Sequence, residues 1–336
     1  MTSSSSSETK AAGQILGVPN TKTAKQVPRE LLDLICGQLR LEDPVEKRTI
    51  AQFGLVCKNW LPSSQYRLFS IMELNDSTTE SFLRDAEGSV QPLPSFIRSL
   101  RLTSFNPSTL QALKSFANVS AFALSHCRIS LGDLLQAISS FPALESLAIT
   151  TVVLWHDNLV KVYQFPARWR TLILDLDPTK SERFFQTILL LDTPPVFSEF
   201  LSVPGWYPKE RSFLGKYLCY VGDRLQRLQL KSPNQEVFEP ADRSGLQYST
   251  GLRQPELLCD HASDVPAKVA RSLSLLPSNT PTAVTLILCK PVYSAALQWQ
   301  MLDSALAAGE LPSVAAFVVE TTEKYNFERI PIHMPS

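Results

Sequence analysis

Residues 171–180 read TLILDLDPTK. Leu172, Leu174 and Leu176 alternate with Thr171, Ile173 and Asp175, the period of two that a β-strand imposes on its two faces. Asp177-Pro178 then ends the alternation. Proline fits the first turn of a helix, where its missing N–H costs nothing, and an Asp before it is a ready N-cap. The stretch therefore predicts a strand with Leu172, Leu174 and Leu176 turned into a core, Thr171, Ile173 and Asp175 turned out, and a helix starting at once.

The same L-x-L signature recurs at Leu100-Arg-Leu102, Phe122-Ala-Leu124, Leu147-Ala-Ile149, Leu228-Gln-Leu230, Leu286-Ile-Leu288 and Phe317-Val-Val319. First members stand 22 residues apart (100 to 122), then 25 (to 147), 25 (to 172), 56 (to 228), 58 (to 286) and 31 (to 317). The two long gaps are each about double a repeat, and weaker candidates sit midway at Phe200-Leu-Ser202 and Leu257-Leu-Cys259. A unit of roughly 20–30 residues with one strand and one helix is the signature of a leucine-rich-repeat solenoid. Helix starts between the runs agree. Asn106-Pro107 and Tyr207-Pro208 repeat the proline signal, Ser130-Leu-Gly-Asp133 has the form of a capping box, and Gly222 and Gly309 suit left-handed helix ends. The outward strand positions are then Arg101, Ala123, Ala148, Ile173, Gln229, Ile287 and Val318. This surface is mixed and mildly apolar, suited to protein contact, with cover by loops as the alternative. Residues 232–256, rich in turn formers, read as a degenerate repeat or an insertion.

Composition narrows the function. Of 336 residues, 19% are charged and the formal net charge is +0, so no basic excess points to nucleic acid. No apolar run approaches the roughly 18 residues that span a bilayer. The Ser-rich start has no apolar signal core, and the end PIHMPS carries no prenylation signal, so a cytoplasmic or nuclear location is expected. The six cysteines form no Cys-x-x-Cys pair, so neither a metal nor another cofactor is expected. There is no nucleophile elbow, P-loop or dinucleotide fingerprint. One enzymatic arrangement stays open, a (β/α) barrel with Ser125, His126, Asp175, Asp177, Lys290 and Glu320 at strand ends. Caps and turns explain those residues better, Asp177 above all, since it already serves as an N-cap before Pro178. Trp169, between Arg168 and Arg170, is expected to pack beneath a strand rather than serve nucleic acid.

Upstream lies a segment of another kind. Residues 1–26 are expected to be disordered, being Ser-rich and poor in apolar side chains. VPRELLDLICGQLRL at 27–41 has helical periodicity, with Pro28 read as the first helical residue. At ~100° per residue, Leu34, Leu31, Ile35, Leu39, Leu32 and Cys36 cover an arc of roughly 200°. A surface helix needs about half of that to face its own core. A second helix starts at Asp43-Pro44 and runs toward Trp60; Ser64 to Phe69 completes the unit, and a β-like run extends from Phe69 to Leu74. So small a segment gains from docking its surplus apolar face elsewhere.

Val27-Pro28-Arg29-Glu30-Leu31-Leu32, Ile35, Leu39 and Leu55-Val56-Cys57-Lys58-Asn59-Trp60 together resemble an F-box. The continuation Leu61-Pro62 to Tyr66-Arg67-Leu68-Phe69 is similar to the F-box-like proteins common in mushroom-forming fungi. Phe53-Gly54 departs from the family's leucine spacing. The resemblance implies an α/β chain (α+β overall). Residues 27–70 would form a three-helix F-box-like module. An irregular leucine-rich-repeat solenoid with a curved, mostly parallel sheet would follow over 71–330, and a tail over 331–336. It also implies a role: non-catalytic substrate receptor of an SCF-type (cullin-RING) E3 ubiquitin ligase. Pro28, Leu31, Ile35, Leu39, Val56 and Trp60 would hold the Skp-family adaptor, and the outward sheet residues Arg101, Ala123, Ala148, Ile173, Gln229 and Ile287 an unidentified target protein. The alternative is a leucine-rich-repeat scaffold with no ubiquitin role, its helical segment serving as an N-terminal cap.

Overall fold

The computed structural model describes residues 27–39, 41, 43–56, 58–75, 78, 81–82, 93–103, 113–155, 163–204, 213–232, 246–259, 282–288 and 314–321. The expectations for 1–26 and 331–336, the helix starts at Asn106-Pro107 and Tyr207-Pro208, Gly309, Lys290 and the side chain of Val318 lie outside them. The chain is mixed α/β and divides after Ser70 into two compact units.

Among the described residues the first unit has three helices: α1 (Arg29–Gln38), α2 (Pro44–Val56) and α3 (Leu61–Ser70). Pro28 is the N-cap of α1 rather than its first helical residue, because its ψ of 144° is extended while its carbonyl already accepts from Leu32 N–H. Asp43 caps α2, its Oδ1 accepting from Val45 N–H at 2.8 Å. Phe69 and Ser70 close α3, so the strand begins at Ile71 rather than Phe69. α3 packs on both other helices. Gly54 makes the α2–α3 approach possible, since a Cβ there would stand 2.9 Å from Ser64 Oγ. That hydroxyl is held in place by donating to Trp60 O at 2.9 Å.

Among the described residues the second unit holds twelve strands: β1 (Ile71–Leu74), β2 (Ser99–Leu102), β3 (Ala121–Ser125), β4 (Arg128–Ser130), β5 (Ser146–Thr150), β6 (Val153–Trp155), β7 (Thr171–Asp175), β8 (Phe200–Pro204), β9 (Arg227–Ser232), β10 (Gln254–Cys259), β11 (Thr282–Leu288) and β12 (Val314–Thr321). Helices α4 (Leu131–Ser139), α5 (Pro178–Leu189) and α6 (Phe213–Val221) lie between them. Ten strands form one sheet in the order β1-β2-β3-β5-β7-β8-β9-β10-β11-β12, and β4 pairs with β6 in a small second sheet. Every pairing is parallel. Each strand thus adds beside its predecessor in the main sheet. β1 and β12 stand at opposite ends of that order, so among the described strands the sheet is open and not the closed barrel.

Register follows from how strands are received. The carbonyl of Ser120 accepts from both Glu145 N–H and Ser146 N–H, and the carbonyl of Glu145 from both Arg170 N–H and Thr171 N–H. The 25-residue spacing is visible in three dimensions. His126 and Thr151, 25 apart, both take positive φ (52°) after β3 and β5, and the short strands β4 and β6 then pair.

Inward residues align across strands. Met72, Leu100, Phe122, Leu147, Leu172, Leu201 and Leu228 form one ladder, and Leu74, Leu102, Leu124, Ile149 and Leu174 a second. These residues belong to one contiguous core, Met72 packing at its margin. Strands stand at both midway positions. In β8, however, Leu201 and Val203 are the inward pair, not Phe200 and Ser202. The end of the series also slips by two: Leu257 pairs with Leu230 rather than Leu228, and Phe317 with Val284 rather than Leu286. A slip of two keeps every side chain on its face, so hydrophobic period cannot detect it.

The caps are as the sequence indicates. Ser130 Oγ accepts from Asp133 N–H at 3.0 Å, and Asp177 Oδ1 from Thr179 N–H at 2.9 Å. The Thr179 hydroxyl bond, foremost, holds the Asp177 carboxyl below its usual range. Gly222 follows α6 with φ +59°. Trp169 is buried between Phe165 and Phe197, its indole N–H donating to Thr171 O at 3.0 Å, while Arg168 and Arg170 are exposed. Tyr217 donates to Pro195 O at 2.8 Å and accepts from Phe197 N–H at 3.1 Å, and burial pushes its phenol up.

Candidate functional site

α1 carries two apolar stripes that face different surroundings. Leu32 and Cys36, one turn apart, are each 1% exposed, whereas Leu31 is 49%, Leu34 63% and Ile35 40% exposed. The second set has i, i+3, i+4 spacing and so forms one patch on the helix. The roughly 200° arc read from sequence is therefore divided: one side is buried, and the other faces solvent. Among the described residues of the first unit, the buried apolar side chains are Leu32, Cys36 and Ile50. Val45, Leu55 and Tyr66 are also exposed.

The remaining adaptor-face candidates take other positions. Pro28 is exposed at the start of α1, and Leu39 is half-buried just past its end. Val56 is half-buried as the last residue of α2. Trp60 is half-buried and meets Phe53 edge to face at 5.6 Å, so it closes the α2–α3 joint. Leu31 and Ile35 are thus the two candidates that stand out from α1 on one face. Leu34, between them, belongs to the same patch.

α1 is also held by a polar contact. Arg67 of α3 donates through Nη2 to Leu39 O at 2.8 Å and Gly37 O at 3.4 Å. Burial pushes the Cys36 thiol up; Asp33 adds to this and Arg67 opposes it. The polar side of α1 carries the exposed Arg29–Asp33 pair at 3.8 Å.

On the sheet, the outward candidates fall largely in one lateral row: Glu73, Arg101, Ala123, Ala148, Ile173, Ser202, Gln229, Glu256 and Thr285, each paired with the next. Ile287 lies one step further along its strand, opposite Leu258. The expectation that this surface is exposed needs correction. Ala123, Ile173, Gln229 and Ile287 are buried, while Arg101 and Ala148 are half-buried. Part of the cause is crowding, because same-face neighbours stand about 4.8 Å away on either side and shield the short Ala. Ile173 is different. It is longer than its neighbours Ala148 and Ser202 yet only 4% exposed, so those two side chains alone do not account for its burial.

Gln229 is buried within a hydrogen-bonded set. Ser202 Oγ donates to Gln229 Oε1 at 2.8 Å, and Gln229 Nε2 donates to Glu256 Oε2 at 3.0 Å. Arg227 Nη2 donates to Glu256 Oε1 at 2.8 Å, its guanidinium 5.1 Å from the Phe200 ring centre. At the other end, Arg101 pairs with Glu73 at 3.8 Å. The sequence hides Ser202, because Phe200-Leu-Ser202 phases it inward, and Glu256, because it closes the turn-rich stretch 232–256; Arg227 stands just before the L-x-L pair of its strand. The signal available was a polar residue at the same outward position of three successive strands.

Of the barrel candidates, His126 Nδ1 lies 3.2 Å from Thr151 Oγ1, and Asp177 is occupied as a cap. Among the described residues no group of three or more His, Cys, Asp or Glu is placed to hold a metal, and no helix is long and apolar enough to cross a membrane. No known family model matches the chain, and no curated protein matches it.

Proposed function

We propose that the chain is a non-catalytic substrate receptor of an SCF-type cullin-RING E3 ubiquitin ligase. In this reading residues 27–70 are an F-box-like module, and the strands that follow are a degenerate leucine-rich-repeat solenoid. The observation that carries it is the division of α1. Leu32 and Cys36 account for its internal packing, leaving Leu31, Leu34 and Ile35 in water. Exposing three neighbouring large apolar side chains on a ten-residue helix costs solubility without stabilising the fold, unless a partner covers them. The sequential parallel order of ten strands and the turn repeated 25 residues apart support the solenoid half.

The mechanism is proximity. One chain that holds the adaptor at one unit and a target at the other turns lysine transfer into an effectively intramolecular event. On the sheet, the outward positions that are not buried, Glu73, Arg101, Ala148, Glu256 and Thr285, are the ones open to a target contact.

Co-purification with a Skp-family adaptor tests the reading. The wild-type chain is expected to retain the adaptor, and Leu31→Asp with Ile35→Asp to lose it while the sheet stays folded by circular dichroism. Adaptor binding unchanged in the double variant would overturn it. Failure of the wild type to bind would favour the scaffold with a helical cap.

A further inference from the structure

α1 has few anchors of its own. With ten residues, α1 is below the roughly 12–15 at which an isolated helix becomes even marginal in water. One of its two apolar stripes faces outward, so Leu32 and Cys36 are its buried apolar anchors. Its C-terminal carbonyls need partners, and no basic residue stands in its own last turn to supply one. The cap at Leu39 is extended, its N–H donating to Cys36 O at 3.3 Å, which leaves the Gly37 and Leu39 carbonyls to be met from elsewhere.

Arg67 meets both. It reaches from the last turn of α3 and brings a full positive charge to the negative end of the α1 dipole. Charge-assisted bonds of this kind are roughly twice as strong as neutral ones. Its Nε is buried without a hydrogen-bond partner, so the side chain accepts a desolvation cost to hold this position. A half-buried guanidinium that spans two helices and ends on carbonyls fixes the axial position and rotation of α1. Rotation matters here, because residues 31 and 32 are about 100° apart and one of them must face out.

We propose that Arg67 is a positioning residue: it clamps the C-terminal end of α1 and thereby holds Leu31, Leu34 and Ile35 in a docking orientation. The clamp is independent of what docks, whereas its functional meaning rests on the adaptor reading.

The test is amide hydrogen exchange in the full-length chain, comparing wild type, Arg67→Met and Arg67→Lys. Met keeps the apolar stem and removes the charge and the donors. Exchange of the Leu32–Leu39 amides is expected to rise about tenfold or more in Arg67→Met, the loss of a charged hydrogen bond, with the sheet unchanged. Lys, retaining charge and a single-point donor, is expected to recover part of that protection, which a mere loss of packing would not predict. If Arg67→Met melts all three helices, Arg67→Lys carries the test alone, with a smaller rise confined to α1. Unchanged α1 exchange in Arg67→Met, or equal exchange in the Met and Lys variants, overturns the proposal. Adaptor affinity measured on the same proteins separates the two claims. A selective rise in a chain that never binds the adaptor leaves the clamp standing and removes the ligase reading. Normal adaptor binding with no rise does the reverse.

Discussion

In the sheet unit, neighbouring strands stack Leu100, Phe122, Leu147 and Leu172 into a ladder buried to completion, and the helices between strands seal it. In the helical unit, α1 buries Leu32 and Cys36 and leaves Leu31, Leu34 and Ile35 in solvent. Both regions are rich in leucine at regular spacing; what differs is whether each apolar side chain has a partner within the chain. In a repeat, every strand finds the same face of its neighbour, so the leucines of the ladder are absorbed. Three short helices cannot surround one another, and the excess is displayed. Leucine in the first region therefore reports on stability, and in the second it marks the face that the proposed function assigns to a partner.

Mutations can break that contrast, and the largest effect is expected at Gly251. A Cβ there would lie 1.6 Å from the Asp223 carbonyl oxygen, a backbone atom that cannot move aside. Gly251→Ala should destabilise the sheet unit by about 5 kcal/mol or more in urea melts, in the exceptional range for a single substitution. Next comes a matched pair. Trp169→Ala empties a fully packed site and should cost ~3–5 kcal/mol. Trp60→Ala, at a half-buried joint, should cost about 1–2 kcal/mol and spare the sheet. Equal costs would mean that the two units are packed alike.

The outward network gives a smaller effect. Gln229→Ala leaves the Ser202 hydroxyl without its acceptor and one Glu256 oxygen without its donor, for ~1–2 kcal/mol. Gln229→Leu should do no better, since those two groups remain. Smallest is the α5 cap, where Asp177→Ala should cost about 1 kcal/mol. Its pH dependence has a fixed sign. The folded carboxyl titrates below the ordinary 3.8, so the contribution is present above that value and fades as pH falls through the folded one. Thermal melts of wild type and Asp177→Ala should therefore converge in acid.

Local chemistry was readable from sequence, and long-range chemistry was not. The alternation in 171–176, the Asp177 and Ser130 caps and the bend at Gly222 depend on residues a few positions apart, so each appears in the string. The phase of β8 was hidden because Phe200 and Leu201 are both large and apolar, and only the partner strand decides which turns inward. Ile173 misled in another way, being an apolar residue buried on the face opposite the core, where a strand covered on both sides loses its alternation. Arg67 meets carbonyls 28 and 30 residues upstream, a contact no window along the chain contains. For the candidate site, the surplus on α1 was legible as an arc too wide for one contact. Its division between Leu32/Cys36 and Leu31/Leu34/Ile35 required the positions of α2 and α3.

That division can be measured without any partner. Two variants of the full chain suffice, Leu31→Ser with Ile35→Ser and Leu32→Ser with Cys36→Ser, each followed by amide exchange of α2 and α3 in increasing urea. The first pair should leave the midpoint for the helical unit where it is in wild type, because those side chains already stand in water. The second should unfold that unit at low denaturant while the sheet persists. If the outward pair proves as damaging as the inward one, Leu31 and Ile35 are part of the chain's own packing, and α1 offers no face to an adaptor.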